Sequence, residues 1–139
     1  MVISELVVTI RDKGRLLDSI YRARAERRID APLLDALQSA LRRAEMVSHR
    51  EVHSDVITMN SRFELTDLRT DEVENYTLVY PEDARAGRWH ISVLSQAGIA
   101  FLGTRVGDVV RWIDGGARRR VTRTSGIVYQ PEASGDYKA

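Results

Sequence analysis

The residue types that most often do chemistry occur here in patterns that fall short of a catalytic or metal site. The segment HREVH, His49 to His53, places two histidines at the spacing of a helical zinc motif. That motif needs a glutamate directly after the first histidine, whereas Glu51 stands one position later. The chain also has no cysteine, which excludes disulfides and thiolate metal sites. We therefore expect a linker, and no zinc site, at residues 49–53.

A basic cluster near the C-terminus, Arg118-Arg119-Arg120 with Arg123, could contact phosphate. It directly follows Gly115-Gly116, however, which favours a charged hairpin edge that blocks pairing between sheets. The net charge of +1 gives no general attraction to nucleic acid. Direct binding to DNA or RNA is therefore predicted to be weak or absent. No GxxxxGK[ST] phosphate loop is present, so a kinase is not predicted either.

The first fifty residues predict two helices joined by a tight turn. After an apolar run over residues 5–10, a helical pattern begins near Asp12. The segment Asp30-Ala31-Pro32 is typical of a helix N-cap followed by proline in the first turn. Each helix is predicted to bury one apolar stripe against the other. The stripes are Leu16, Leu17, Ile20 and Tyr21 in the first helix and Leu34, Leu37, Leu41 and Ala44 in the second.

Beyond residue 50 the pattern changes to the period of two that is typical of strands. A turn is predicted at residues 69–72 and a hairpin turn at Asp114-Gly115-Gly116. Pro131 cannot donate to a strand ladder and is expected to end the last strand. The predicted strands are residues 55–65, 74–80, 109–113 and 121–129.

The segment ISVLSQAGIAFLGTRVGDVV, residues 91–110, is the most informative part of the chain. It predicts a short apolar strand, then a helix that begins at Ser95 and ends at Gly103. A turn at Gly107-Asp108 leads into a second apolar strand. The unit contains no nucleophile, metal cluster or phosphate loop. It therefore indicates a docking surface and not a catalytic site.

These segments, taken in order, resemble the Rnk family, the regulators of nucleoside diphosphate kinase, which are short relatives of the Gre transcript-cleavage factors. The resemblance implies an α+β fold. It implies an N-terminal antiparallel helical hairpin, a short coiled coil, over residues 1–50. A C-terminal FKBP-like, mostly antiparallel β domain with one short helix would follow over 51–139. The matching segments are DVITMNSRFEL (55–65), YTLVYP (76–81), ISVLSQAGIAFLGTRVGDVVRW (91–112) and YQPEASGDY (129–137).

The family resemblance also implies a partner, bacterial RNA polymerase. The β domain would bind at the entrance of the secondary channel in competition with Gre-type factors, and the hairpin would point into the channel. In the family the strand-to-helix loop usually reads Ser-Pro-x-Gly and contacts the polymerase; here Gln96 replaces the proline, which loosens the loop. The polymerase-binding candidates are Ser95, Gln96, Ala97, Gly98 and Leu102.

The hairpin tip of this chain differs from the tip that the Gre resemblance implies. In Gre factors acidic tip residues supply a magnesium ion that drives transcript cleavage. Here two acids stand among arginines, and a positive tip repels Mg²⁺; Asp30 is better explained as an N-cap. We therefore predict no cleavage stimulation, no catalytic residue, no metal and no cofactor. The arginines remain open to two interpretations, a solvated helix end or a contact with acidic protein or RNA phosphate. The tip candidates are Arg22, Arg24, Glu26, Arg27, Arg28 and Asp30.

Two alternatives to polymerase binding remain at this stage. An FKBP-like domain could be a peptidyl-prolyl isomerase, but no isomerase pattern is recognisable and an enzyme is not predicted. The chain could also be an interaction module for another protein. Any effect on nucleoside diphosphate kinase is expected to be indirect, through transcription. The N-terminus lacks the pattern of a signal peptide, so a cytoplasmic location is expected. The aromatic residues that could line an isomerase pocket are Phe63, Tyr76, Tyr80, Trp89, Phe101, Trp112 and Tyr129.

Overall fold

Two N-terminal helices precede a mostly antiparallel sheet with one short helix. The computed structural model describes residues 7–27, 30–84 and 89–136. The predicted α+β class is confirmed, whereas the FKBP-like assignment and the coiled coil stay predictions. The elements are β1 (Val7–Thr9), α1 (Ile10–Glu26), α2 (Ala31–Arg43), β2 (Glu45–Val47), β3 (Arg62–Asp67), β4 (Val73–Val79), a 3-10 turn (Pro81–Asp83), β5 (His90–Ser92), α3 (Gln96–Phe101), β6 (Val109–Ile113) and β7 (Arg119–Tyr129).

Local hydrogen bonds explain where the two long helices begin. Helix α1 begins at Ile10, two residues before the predicted start, because the Thr9 hydroxyl accepts a hydrogen bond from the amide of Asp12 at 3.0 Å. Helix α2 has Asp30 at its N-cap, as predicted, but the carboxylate makes no capping bond. Pro32 occupies the second helical position and lacks the N–H that such a carboxylate usually binds.

The helices are antiparallel and bury one narrow stripe each. Arg24, near the end of α1, bonds to Asp35 near the start of α2 at 2.7 Å. Strands β1 and β2, which flank the helix pair, lie side by side. The predicted stripe is wrong for Leu17 and Tyr21, which are 39% and 76% exposed. These residues lie about 100° around α1 from the buried Leu16 and Ile20, outside the stripe that one partner helix covers.

The five-stranded sheet has the order β5-β4-β3-β7-β6. Its pairs are antiparallel except for β4 with β5, which run parallel. The hairpin turn at residues 114–116 and the turn at 69–72 are confirmed. Helix α3 contacts both β5 and β6, the two edge strands, so it connects the opposite edges of the sheet.

The strand predicted over residues 55–65 is wrong in its first part, because β3 begins only at Arg62. Residues 56–59 are all buried, so both sides of this segment are covered by protein and the alternation of an open strand is absent. Asn60 then takes a left-handed conformation with φ 65, which interrupts extended backbone. Individual backbone hydrogen bonds hold this segment in place of a strand ladder. One of them joins the Ile57 amide to the Thr104 carbonyl at 2.8 Å.

Asp12 joins the helix pair to the β part of the molecule. Its carboxylate accepts hydrogen bonds from the Met59 amide at 3.2 Å and the Tyr80 hydroxyl at 3.4 Å. The Arg15 guanidinium lies over the Tyr80 ring, 4.1 Å from its centre. Burial, and after it the nearby Glu132 carboxylate, raise the pKa of Asp12 from its ordinary 3.8 to about 6. The junction therefore contains an acid that titrates unusually close to neutrality.

The apolar core is continuous across this junction. Buried leucines of α1 and α2 belong to the same cluster as Phe63, Leu78 and Phe101 of the β part. The linker at residues 49–53 lies in turns, as predicted, and its end is anchored because the Gln130 side chain donates to the His53 carbonyl at 2.8 Å. Within the described ranges, no helix combines the length and apolar character required to cross a bilayer.

Candidate docking site

The loop between β5 and α3 is held by its own hydrogen bonds. The Ser95 hydroxyl donates to the Ser92 carbonyl at 2.6 Å and accepts from the Gly98 amide at 3.0 Å. The amide of Ser95 also donates to the Ser92 carbonyl, at 3.0 Å. Ser95 is therefore the N-cap of α3, as the sequence predicts, and one side chain joins both sides of the turn.

Gly98 is required because the backbone of the preceding strand passes directly against it. A β-carbon on this residue would overlap the Ser92 carbonyl oxygen and lie 2.6 Å from the Cα atom of Val93. Its backbone angles are not the cause, since Gly98 is not among the residues with positive φ. Close packing of helix on strand explains the glycine of this loop.

The five polymerase-binding candidates differ in what they offer to a partner. Gln96 is exposed and Ser95 is half-buried, so both present polar atoms at the surface. Ala97, Gly98 and Leu102 are buried and shape the loop from beneath. A contact between this loop and a polymerase stays a prediction. It would be made directly by Ser95 and Gln96.

A cleft of about 680 Å³ opens beside this loop, between α3 and the β6–β7 hairpin. Its aromatic wall is formed by Tyr76, Trp89 and Trp112. Tyr76 packs edge-on against both tryptophans, with ring centres 5.3 Å from Trp89 and 5.7 Å from Trp112. Ser95, Gln96 and Ala97 also line the cleft. The cleft therefore joins the predicted docking loop to an aromatic surface.

Arg120 lies under this cleft at the centre of three carboxylates. Its Nε atom donates to Asp67 at 3.0 Å, Nη2 to Glu74 at 2.7 Å and Nη1 to Asp114 at 3.4 Å. The guanidinium also lies 5.3 Å from the centre of the Trp112 ring. The prediction of a charged hairpin edge is wrong for Arg120, because its side chain is only 9% exposed and its strand lies between β3 and β6.

Hydrogen bonds keep this cluster ionised. Backbone amides, first that of Arg69, hold the pKa of Asp67 below its usual range, and the Arg118 amide does the same for Asp114. Burial alone would lower the pKa of Arg120, but its bonds to Glu74 and Asp67 outweigh burial and raise it. These shifts favour the ionised forms of Asp67, Asp114 and Arg120.

The alternation of residues along β7 could have predicted that Arg120 is buried, although a charged residue is not expected in a core. Strand β7 buries Arg120, Thr122 and Thr124 on one face, and β3 buries Asp67 on the same face as Phe63 and Leu65. Alternation therefore places the arginine and the aspartate inside, although neither looks like a core residue. Only the pairing of β3 with β7 brings them together.

The residues of the hairpin tip are exposed where they are described. Arg24 pairs with Asp35 and also donates to Gln38 at 2.8 Å, so it braces the helix pair. Arg27 takes a left-handed conformation with φ 55 at the end of α1. Arg28 lies outside the described residues. No group of three or more potential metal ligands occurs within residues 7–27, 30–84 and 89–136.

Two further tip candidates approach the docking loop. Arg22 and Glu26 line a second cleft of about 350 Å³, together with Pro81 and with Leu94, the residue before Ser95. The outer half of α1 therefore faces the neighbourhood of the loop. Asp30 caps α2 through its carbonyl oxygen, which accepts from the Leu33 amide at 3.1 Å.

Comparisons with known proteins agree on one group of relatives. The family model described as transcription elongation factor, GreA/GreB, C-terminal matches residues 52–125. The regulator of nucleoside diphosphate kinase from Escherichia coli strain K12 is 43% identical over 107 residues, 76% of this chain and 78% of that protein. A solved structure, the transcription elongation factor GreA/GreB from Nitrosomonas europaea, superimposes with a TM-score of 0.76 at 29% identity. It covers 91% of this chain and 100% of that one.

A third relative is an elongation factor that matches about half of this chain. Elongation factor GreA from Alkaliphilus oremlandii is 35% identical over 77 residues, which is 55% of this chain and 48% of that protein.

Proposed function

The chain belongs to the Rnk family, the regulators of nucleoside diphosphate kinase, and is related to the Gre transcription elongation factors; from this premise we propose that it regulates transcription by binding bacterial RNA polymerase. The binding site would be the entrance of the secondary channel, in competition with Gre-type factors. The observation that carries the proposal is the similarity to the regulator from Escherichia coli over three quarters of both chains.

The docking loop supports this proposal through its construction. Its backbone is held by Ser95 and by the close packing of Gly98 on Ser92, so Gln96 is presented in one geometry. A preformed loop loses little conformational freedom on binding. The proline that the family usually has after Ser95 is therefore not needed to hold this loop.

The hairpin tip supports binding without cleavage. A magnesium ion at a polymerase active site needs a close pair of available carboxylates. Glu26 lines the second cleft together with Arg22, and Asp30, the N-cap of α2, follows Arg27 by three positions in the sequence. Positive charge around both acids opposes Mg²⁺ binding. We therefore propose that the protein occupies the channel and does not stimulate transcript cleavage.

The remaining parts of the proposal follow from the same premise. Residues 1–50 would form the channel-directed coiled coil and residues 51–139 the FKBP-like docking domain. An effect on nucleoside diphosphate kinase would be indirect, through transcription in the cytoplasm. The relatives reported above are described as a regulator and as elongation factors, which does not support the isomerase alternative.

The proposal is tested by measuring the binding of the full chain to core RNA polymerase, with a Gre factor as competitor. Gln96→Arg changes an exposed loop residue without touching the core. We expect it to weaken polymerase binding by roughly tenfold, because the longer arginine side chain would displace the Gln96 contact and bring a positive charge to the interface.

Val128→Arg is the matched control, because it adds the same charge at a residue that is 56% exposed and lines neither cleft. It should bind like the unaltered protein. No binding at low micromolar concentration, or binding that the Gre factor leaves unchanged, would contradict the proposal. Equal losses in both variants would show a charge effect and place the contact elsewhere.

A further inference from the structure

We propose that the outer face of the β6–β7 hairpin binds an acidic amphipathic helix of a partner protein. Residues that pair directly across two antiparallel strands point to the same side of the sheet. Three such pairs form an exposed or half-buried face here, whereas the residues between them are buried. None of the arginines on this face lines either cleft described above. We call it the arginine face, and it consists of Val109, Arg111, Ile113, Arg119, Val121 and Arg123.

The position of these arginines is not explained by protection of a sheet edge. Charged residues that block pairing between sheets belong on an edge strand. Arg111 lies on such a strand, because β6 is the last strand of the sheet. Arg123, in contrast, is paired on both sides, with Val109 of β6 and with Thr66 of β3. No edge exists at Arg123 for its charge to protect, so the group of three arginines needs another explanation.

The three arginines lie close together. Arg111 lies opposite Val121, which makes Arg119 and Arg123 its diagonal neighbours at roughly 7–8 Å, within reach of long side chains. Arg69 donates to the Arg119 carbonyl at 3.5 Å and so brings a fourth guanidinium to the same hairpin. Like charges at this distance repel one another. The grouping therefore favours an anionic partner that offsets the repulsion.

The described chain does not supply that anion. Within the part of the chain that the structure describes, no ion pair includes Arg111, Arg119 or Arg123. The exposed acids of the turn at residues 69–72 pair with none of them. Arg120 is the contrast, because it points to the other side of the same strand and binds three carboxylates. Only the inward arginine of this strand has its charge compensated internally.

The carboxylates around the hairpin are engaged elsewhere. Asp67 and Asp114 bind Arg120 on the buried side of the sheet. The Glu64 carboxylate accepts a hydrogen bond from a serine hydroxyl at 2.9 Å, and the Asp108 carboxylate accepts one from a backbone amide at 2.9 Å. A side-chain rearrangement that gave these acids to the arginine face would break those bonds. The anion is therefore expected from outside the chain.

Apolar side chains between the arginines favour a protein over a nucleic acid. Val109 is 49% exposed, and Leu68, whose amide donates to the Val121 carbonyl at 3.0 Å, is 40% exposed. A phosphate backbone would pair with the guanidinium groups but would leave these apolar side chains in water. A helix presents carboxylates and apolar side chains together, because residues three and four positions apart are neighbours about 5–6 Å from each other. Arginine also pairs with carboxylates through two parallel hydrogen bonds.

The first experiment needs no polymerase. The full chain is titrated with a capped peptide that has glutamate at every fourth position and leucine beside it on the same helix face. Backbone amide resonances are followed by NMR. We expect those of β6 and β7 to shift with a Kd on the order of 100 micromolar, and the affinity to fall with added salt. The same peptide with glutamine in place of glutamate should bind roughly fivefold more weakly or less.

Three results would overturn the proposal in this experiment. They are the absence of shifts in β6 and β7, equal binding of the glutamine peptide, and tighter binding of an oligothymidylate that carries the same charge. The last result would assign the face to nucleic acid. Because the probes are peptides and an oligonucleotide, each outcome is independent of whether the protein binds polymerase.

Variants locate the peptide on the arginine face. Arg111→Gln and Arg123→Gln should each weaken peptide binding roughly threefold. Arg42→Gln is the matched control, because it makes the same charge change at an exposed residue of α2 and should bind like the unaltered protein. Val109→Ser removes apolar surface without a charge and should also weaken the peptide. Equal losses in Arg42→Gln and Arg123→Gln would show a general charge effect and contradict the assignment.

Urea unfolding separates binding from a structural role of the arginines. Arg123 has no ion pair within the described residues, so Arg123→Gln should leave the urea midpoint unchanged or raise it by relieving repulsion. Weaker peptide binding at an unchanged midpoint would support the proposal. A lower midpoint together with weaker binding would show that Arg123 holds the fold, and would contradict it.

Discussion

The docking loop and the hairpin tip, the two regions that the family resemblance singles out, are built in opposite ways. The loop is internally bonded and packed, and three of its five candidate residues are buried. The described tip candidates are all exposed. A substitution in the loop is therefore expected to change mainly the stability of the fold. A substitution at the tip is expected to change mainly the binding of a partner. Loss of function after a loop substitution is not by itself proof of a contact.

The largest expected effect tests the packing of the loop. Gly98→Ala should lower the free energy of unfolding by about 3 kcal/mol, because the added methyl meets the backbone of Ser92 and Val93, which cannot turn aside. Urea unfolding measures the change. Gly14→Ala, at an exposed helical position with nothing near the added atom, is the matched control and should be about 1 kcal/mol more stable. Equal effects would contradict the close packing of Gly98 against the preceding strand.

A smaller loss is expected from the charged cluster under the cleft. Arg120→Met removes the one cation among three carboxylates and should cost on the order of 2 kcal/mol. This is less than for a fully enclosed pair, because Glu74 and Asp114 remain partly in contact with water. Thermal and urea unfolding test it. A variant as stable as the unaltered chain would show that solvent already screens these charges.

At the junction between the helix pair and the sheet, replacing the buried Asp12 is expected to stabilise the protein. Asp12 has a pKa near 6 in the folded protein and 3.8 as its ordinary value. The folded state therefore binds its proton more tightly, so the contribution of Asp12 to stability falls as the pH rises from about 4 to about 6. Above that range Asp12→Asn should raise the free energy of unfolding by about 1–2 kcal/mol, because the amide needs no charge.

The test of the junction is urea unfolding of both proteins at about pH 4 and about pH 7. The advantage of Asp12→Asn should appear at the higher pH and shrink at the lower one. A difference that is the same at both values would mean that the effect comes from packing and not from ionisation.

The smallest effect belongs to the tip. Arg24→Ala breaks an exposed pair, with side chains 37% and 67% exposed for Arg24 and Asp35, and should change stability by less than about 0.5 kcal/mol. If the tip contacts acidic groups in the polymerase channel, the same variant should weaken polymerase binding in a salt-dependent manner. A stability loss comparable to that of Gly98→Ala would remove the distinction between the regions.

The sequence predicted most elements and about half of the site. Ser95 was identified as a cap, and Asp114-Gly115-Gly116 as a hairpin turn, because both depend on bonds to residues three or four positions away. The helix pair was recognised from its leucine spacing. The cleft was missed, since Trp89 and Trp112 come together only when β5 and β6 flank α3. Leu17 and Tyr21 were predicted to be buried and are exposed. The spacing of apolar residues does not indicate how wide a stripe of α1 the helix α2 covers.

What the sequence alone determined was local: the N-caps Asp30 and Ser95, the turns, the class of fold and, through an ordered set of segments, the family. The tertiary structure decided which charges are buried. Arg120 meets Asp67 and Glu74, which lie 53 and 46 positions away. Asp12 is enclosed by Met59 and Tyr80 from another part of the chain. Capping and periodicity are properties of neighbouring residues, whereas burial of a charge depends on partners that only the folded chain brings within reach.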